Sequence, residues 1–208
     1  MTSHLANYLV PTTLLQAVNM CLEAISGTPV SSLESIDTNT DAETAINRIG
    51  EVSRAVQSEG WNWNQDLDYE IAPNGSNQCV LPANTLRFVQ KYTAATYLKR
   101  LVIRAGKLYD AVLHTFAIGE TAKGDITVII DFEDLPEPAR DYIAKRAVRT
   151  FSSGKMSSST TYQFTKKDED DARLRMEQDA AETDPDATLQ GNPHIIRLRR
   201  RRYNGGIW

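Results

Sequence analysis

The sequence predicts an α+β protein: a mainly α-helical bundle, an inserted antiparallel β-rich subdomain and an extended C-terminal tail. Apolar residues recur at helical steps of three and four in two separate stretches, Thr12 to Trp63 and Leu135 to Thr183. Between them, from Leu67 to Phe132, the period shortens to two. Beyond Pro193 the residues His194 to Arg199 alternate loosely before an arginine run. The expected boundaries are a discontinuous helical domain over 1–64 and 133–190, a β-rich insertion over 65–132 and a basic docking tail over 191–208.

The first helical stretch reads as a hairpin. Thr13 with Gln16, and Thr40 with Glu43, have the spacing of capping boxes. Leu15, Val18, Leu22 and Ile25 share one face of the first helix, and Ala45, Ile49, Val52 and Val56 one face of the second. Gly27 and Pro29 are expected to stop the first helix and Gly60 the second, with a polar surface linker between. Trp61 and Trp63 follow directly. They read either as a cap on the helical core or as interface anchors. So short a helix pair cannot bury both apolar faces alone, so the rest of the chain must complete its core.

In the insertion, Asp66 to Ile71 alternates like a half-buried strand, and Pro73 to Asn77 is a turn returning into a strand over Gln78 to Leu81. Leu86 to Gln90 and Arg100 to Arg104 are further strands, although Thr93 to Leu101 also fits a short helix. Ala105-Gly106-Lys107 is a tight turn into Leu108-Tyr109. Ile126, Val128, Ile130 and Phe132 fall on one face of a last strand.

Leu135-Pro136-Glu137-Pro138 starts a third helix, with proline and acid in its first turn. Ile143, Ala144, Ala147, Val148 and Phe151 form its apolar face, with Arg140, Lys145, Arg146 and Arg149 mostly opposite. Ser152 to Thr161 reads as a mobile loop. A fourth helix is expected from about Phe164 to Thr183, with Glu169–Arg173 and Asp171–Arg175 pairs on a solvated face and Leu174 against the bundle.

Composition narrows the class. With 208 residues, 41% hydrophobic and 24% charged, the chain can bury a sizeable core. No apolar run approaches the roughly 20 residues of a membrane span, and no basic-then-apolar leader is read at the N-terminus. Cys21 and Cys79 read as buried thiols. His4, His114 and His194 are far apart and lack metal-ligand spacing, so no metal is expected. The acids Asp168 to Asp171 lack the loop glycine of a calcium site and read as a solvated helix start. No phosphate loop, dinucleotide fingerprint or nucleophile elbow is present. An enzyme, a cofactor and a small-molecule substrate are therefore not expected.

The net charge of −4 conceals an asymmetry. Arg197, Arg199, Arg200, Arg201 and Arg202 lie in the last dozen residues, and without them the chain carries −9. Ile195, Ile196, Leu198, Tyr203, Ile207 and Trp208 flank these charges. Interleaved aliphatics and a terminal tryptophan suit a segment that folds onto a protein partner. Contact with nucleic-acid phosphates and an unbound solvated tail are the other two readings.

Several of these segments carry a resemblance. Ala17-Val18-Asn19-Met20-Cys21-Leu22 leads to Ile25-Ser26-Gly27-Thr28-Pro29-Val30-Ser31-Ser32-Leu33, and Arg48-Ile49-Gly50-Glu51-Val52-Ser53-Arg54-Ala55-Val56 runs on to Gly60-Trp61-Asn62-Trp63-Asn64. Leu135-Pro136-Glu137, Tyr142-Ile143, Ala147 to Phe151 and Asp168 to Glu177 follow in order. Together these resemble the tail tubular protein A family, the adaptor rings of short-tailed bacteriophages, over most of residues 12–185. The resemblance implies a helical bundle with a β-rich insertion. It also implies a virion protein forming a twelve-fold ring with itself, between the portal and a nozzle of the tail tubular protein B kind, around a channel for genomic DNA. No membrane partner is implied. The helices are expected to pack side by side in the ring, the loops of the insertion to face the nozzle and the tail to reach the portal. The arginine run is not part of the family pattern. A connector of a long-tailed phage and a nucleic-acid-binding regulator with a basic tail are the alternative readings.

Overall fold

A computed structural model describes residues 10–34, 39–93, 96, 98–155 and 159–183. The fold is α+β, as the periodicities predict. Helices α1 (Leu14–Ala24) and α2 (Thr40–Ser58) come first. Strands β1 (Gln65–Ile71), β2 (Thr85–Lys91), β3 (Leu101–Arg104), β4 (Lys107–Asp110) and β5 (Ala122–Val128) follow, and helices α3 (Glu137–Lys155) and α4 (Ser159–Thr183) close the series.

The capping box at Thr13 is present: Gln16 N–H donates to Thr13 Oγ1 (3.2 Å) and Thr13 N–H to Gln16 Oε1 (2.9 Å). The second helix is capped differently from the expectation. Asn39, not Thr40, is its cap, and its Oδ1 accepts from Asp41 and Ala42 N–H. Helix α1 turns off at Ser26, which itself takes positive φ (58°), one residue before the expected Gly27. Gly60 ends α2 with φ of 83°, where a side chain would be strained.

One core lies among the helices. It joins Val18, Cys21 and Leu22 of α1, Ile49, Val52 and Val56 of α2, Tyr142, Ile143 and Phe151 of α3, and Ala172 and Met176 of α4. Ala172 and Met176 face inward four residues apart, which leaves Leu174 on the outer side, 54% exposed rather than against the bundle. The ion pairs also differ from the expected i,i+4 set. Glu169 is buried and pairs with Arg149 across the helix pair, while Arg175 reaches Asp141 (2.9 Å) instead of Asp171. Arg140, placed on the polar face by the sequence, is buried. Its guanidinium donates to the carbonyls of Leu135 (2.7 Å), Thr12 (3.2 Å) and Glu133, tying the chain before α1 to the start of α3.

The second core, built on Ile71, Cys79, Leu81, Leu101, Leu108, Ile118 and Ile126, lies among the strands. Here β5 is central in an antiparallel sheet ordered β1-β5-β2, and β3 and β4 form a hairpin of their own. Gln78 to Leu81 is not a strand. Gln78, Cys79 and Val80 bridge to Ala117, Pro73 and Lys107 respectively, so no continuous ladder forms. The last strand begins and ends earlier than its alternation suggests. Ile130 lies beyond it and Phe132 opens the 3-10 turn Phe132–Asp134, contributing to the helical core.

The expected loop over Ser152 to Thr161 is largely helical. Helix α3 continues to Lys155, with Ser152 and Ser153 hydroxyls donating to carbonyls three residues back, and α4 begins at Ser159. Between Thr93 and Leu101 the described residues form turns, not a helix.

Candidate assembly interface

Tyr142 is the centre of the clamp that fixes α4. Its buried hydroxyl oxygen accepts from Arg146 Nη1 and Arg173 Nη1, both at 3.1 Å. Arg173 continues to Glu59 (Nη2 to Oε2, 3.1 Å) at the end of α2 and to Glu177 on its own helix (2.8 Å). The Tyr142 hydroxyl and the Glu59 carboxylate hold the Arg173 guanidinium charged well above its ordinary range. At the end of α4, Asn62 Nδ2 donates to Ala180 O (3.1 Å) and Thr183 Oγ1 (2.8 Å). Arginine and amide contacts therefore supplement a short apolar seam.

The tryptophans named from sequence lie beside this clamp. Trp61 and Trp63 are stacked, with centroids 6.3 Å apart and rings 2° from parallel. Both are half-buried against the helical core, and Trp61 Nε1 donates to Val56 O (2.9 Å). The remaining sequence-named residues, Ile195, Ile196, Arg197, Leu198, Arg199, Arg200, Arg201, Arg202, Tyr203 and Trp208, lie outside the described residues.

The strand-bearing part presents apolar surface that sequence reading missed. Leu98, Val112 and Leu113 are 72%, 55% and 64% exposed. Ala111 N–H donates to Arg100 O (2.8 Å), which ties the turn carrying Val112 and Leu113 to the chain leaving Leu98. The turn is built on Asp110, a buried carboxylate at the end of β4. Its Oδ1 accepts from Val112 N–H (2.8 Å) and Leu113 N–H (3.2 Å), and its backbone exchanges hydrogen bonds with Thr115. His114 closes the turn with φ of 54°. The signal in the sequence was the Asp110-Ala111-Val112-Leu113-His114 run, which reads as strand unless the aspartate is taken as a turn former.

The charges around these residues are mixed: Arg100 follows Leu98 closely in the chain, Lys99 pairs with Glu120 (3.1 Å), and Arg104 lies at the far end of the β3–β4 hairpin, opposite Lys107. Arg104 stacks over the Tyr109 ring at 4.0 Å, and Tyr109 meets Phe116 edge-on at 5.0 Å. On the opposite edge of the sheet the charges are paired. Lys91 bridges Asp125 (2.7 Å) and Asp68 (2.9 Å) where β1 bulges between Asp66 and Tyr69. The bond to Lys91 lowers the Asp68 carboxyl, and the bonds to Asp125 and Asp68 raise the Lys91 ammonium. Leu67 stands out of that bulge, 66% exposed.

Among the described residues no group of His, Cys, Asp and Glu is arranged to hold a metal ion. No helix among them is long and apolar enough to cross a membrane.

The family model described as "Tail tubular protein" matches residues 15–186, from the start of α1 to just past α4. The chain is 28% identical over 130 residues to "Tail tubular protein A" of Klebsiella phage KP34. That match covers 62% of this chain and 66% of the relative, so it spans a little under two thirds of the relative's length. The chain belongs to the tail tubular protein family and is a structural component of a phage tail.

Proposed function

We propose that this protein is the adaptor ring of a short-tailed phage, joining the portal to the tail nozzle around a channel through which the genome passes. The observation that carries the reading is the family match over residues 15–186. The exposed Leu98, Val112 and Leu113 support it, because aliphatic side chains open to solvent suit an interaction surface. The ring is a homo-oligomer of about twelve copies built by one repeated head-to-tail contact, since a heterologous contact that closes gives a ring. An acid-rich wall, drawn from a chain that carries −9 without its five terminal arginines, repels DNA phosphates and lets the duplex slide.

Within each subunit the helices of 1–64 and 133–190 form the structural body and 65–132 a β-rich insertion. The basic segment 191–208 grips the portal, through Arg197 to Arg202 against carboxylates and Trp208 in an apolar seat. Trp61 and Trp63 anchor a neighbouring surface at the mouth of the α2–β1 junction. Immunogold labelling of intact virions tests the assignment: label at the junction of head and tail is expected. Label confined to the distal tail, or absent from virions, refutes it. Cross-links from the Trp208 end to the portal are expected in the assembled vertex, and cross-links to the nozzle alone refute that part.

A further inference from the structure

The turn between β1 and the chain returning through Cys79 carries an asparagine followed by a glycine, both exposed. Asn74 Oδ1 accepts from two backbone N–H groups, those of Ser76 (2.9 Å) and Gln78 (3.0 Å). The Asn74 main chain closes the same loop. Its N–H donates to Gln78 O and its carbonyl accepts from Asn77 N–H, each at 2.9 Å. Among the described residues neither Asn74 Nδ2 nor Gly75 N–H has a hydrogen-bond partner. The fold does not require glycine at 75: it does not take positive φ, and a Cβ there would meet nothing within 4 Å.

We propose that Asn74 is a site of self-modification, where the Gly75 amide nitrogen converts the asparagine side chain to a cyclic imide that water opens to aspartate and isoaspartate. The Gly75 nitrogen attacks Asn74 Cγ, and a C–N bond forms. Its proton passes to hydroxide, the Cγ–Nδ2 bond breaks, and Nδ2 leaves as ammonia with a proton taken from water. Water then adds to either ring carbonyl and breaks that C–N bond. No group is oxidised or reduced. The attack is intramolecular, so nucleophile and electrophile need not find each other. It places negative charge on Asn74 Oδ1, where the Ser76 and Gln78 N–H groups already point at the distance of oxyanion-hole donors. The nucleophile has no flanking side chain to shield it and no hydrogen bond to break, and the leaving nitrogen is equally unrestrained. The two products differ in consequence. Aspartate keeps an acceptor oxygen for Ser76 and Gln78. Isoaspartate lengthens the main chain by one carbon inside the loop. That spoils the backbone bonds to Asn77 and Gln78 and loosens the chain leading to buried Cys79.

The test incubates the purified full chain at pH 8, folded in one arm and unfolded in urea in the other, then digests it at acid pH for mass spectrometry. Exchange of the amide nitrogen for oxygen raises the mass of the peptide spanning Asn74 by about 1 Da. Fragmentation places the change on Asn74 and separates aspartate from isoaspartate. In the folded chain Asn74 is expected to convert at least as fast as in the unfolded chain, and faster as hydroxide rises. Gly75→Ala, which the open turn accommodates, is expected to slow conversion about tenfold or more by shielding the amide nitrogen. Circular dichroism verifies that this variant is folded. A folded chain that keeps Asn74 intact while the unfolded chain converts overturns the proposal. So does a folded Gly75→Ala variant that converts like wild type.

Discussion

The Gln57 carboxamide pairs with both backbone groups of Ile130. Gln57 Nε2 donates to Ile130 O (2.9 Å), and Ile130 N–H donates to Gln57 Oε1 (2.7 Å). Gln57 is fully buried near the end of α2, and Ile130 lies just past β5, so this one side chain joins the helical part to the sheet. Asn64 reinforces the seam by donating to Gln57 O (2.8 Å) and Val128 O (3.0 Å). Gln57→Leu keeps the volume but leaves an N–H and a carbonyl without partners. It is expected to lower stability by about 2–4 kcal/mol. Urea denaturation checks this: the midpoint falls with the slope unchanged. An unchanged midpoint means the seam does not bear on stability.

Gly124 sits in the central strand β5 with no room for a side chain. A Cβ there would meet the Phe88 ring and lie 2.5 Å from Val89 O, a backbone atom that cannot swing aside. Gly124→Ala is expected to cost about 3 kcal/mol, since β2 must shift to relieve the overlap. The thermal midpoint of the variant reads the effect. A substitution tolerated without loss contradicts the close approach of β2 and β5.

Arg173→Met retains much of the aliphatic length and removes the bonds to Tyr142, Glu59 and Glu177. The Arg173 side chain is 38% exposed, so the loss in global stability is expected to be about 1 kcal/mol. The larger expected change is local. Hydrogen exchange in α4 rises over the turns around Ala172 and Met176, while α1 and α2 stay protected. Equal loss of protection everywhere contradicts the clamp.

Cys21 is fully buried in the helical core, and burial pushes its thiol up to about 12. Burial raises the Cys79 thiol as well, offset in part by the hydrogen bond from Ala122 N–H and by the Lys99 charge. An unfolded chain ionises its thiols nearer their ordinary value of about 8.5. The thiolate then forms first in the unfolded state. The stability carried by the neutral Cys21 thiol is whole below that value and is lost as pH rises toward 12, at up to about 1.4 kcal/mol per pH unit. Cys21→Ala is expected to flatten the alkaline limb of the stability profile. Native protein at pH 8 is expected to leave a thiol reagent unreacted until denaturant is added, and prompt labelling contradicts the burial.

The sequence was legible where one periodic face met one core. The faces of α2 and α3 were read from residues such as Ile49, Val52, Ile143 and Phe151, all of which are buried. Strand β5 was misplaced because its buried face is carried by Ala122 and Gly124, too small to register as apolar, while Ile130 and Phe132 continue the alternation outside the strand. Asn39 captured the α2 cap because its side chain satisfies two N–H groups. Partners distant in sequence escaped altogether. Glu169 with Arg149, Arg140 with the Thr12 and Leu135 carbonyls, and Gln57 with Ile130 are fixed by tertiary packing that local spacing does not encode. The same holds for the exposed Leu98 and Val112, whose chain segments are joined only by the pairing of β3 with β4 and the bond from Ala111 N–H to Arg100 O.

The most direct measurement of the central claim is electron microscopy of the purified full-length chain mixed with the portal of its own phage. A ring of this protein stacked coaxially on the portal, with an open channel continuous through both, is the predicted image. Bare portals beside dispersed single subunits would contradict it.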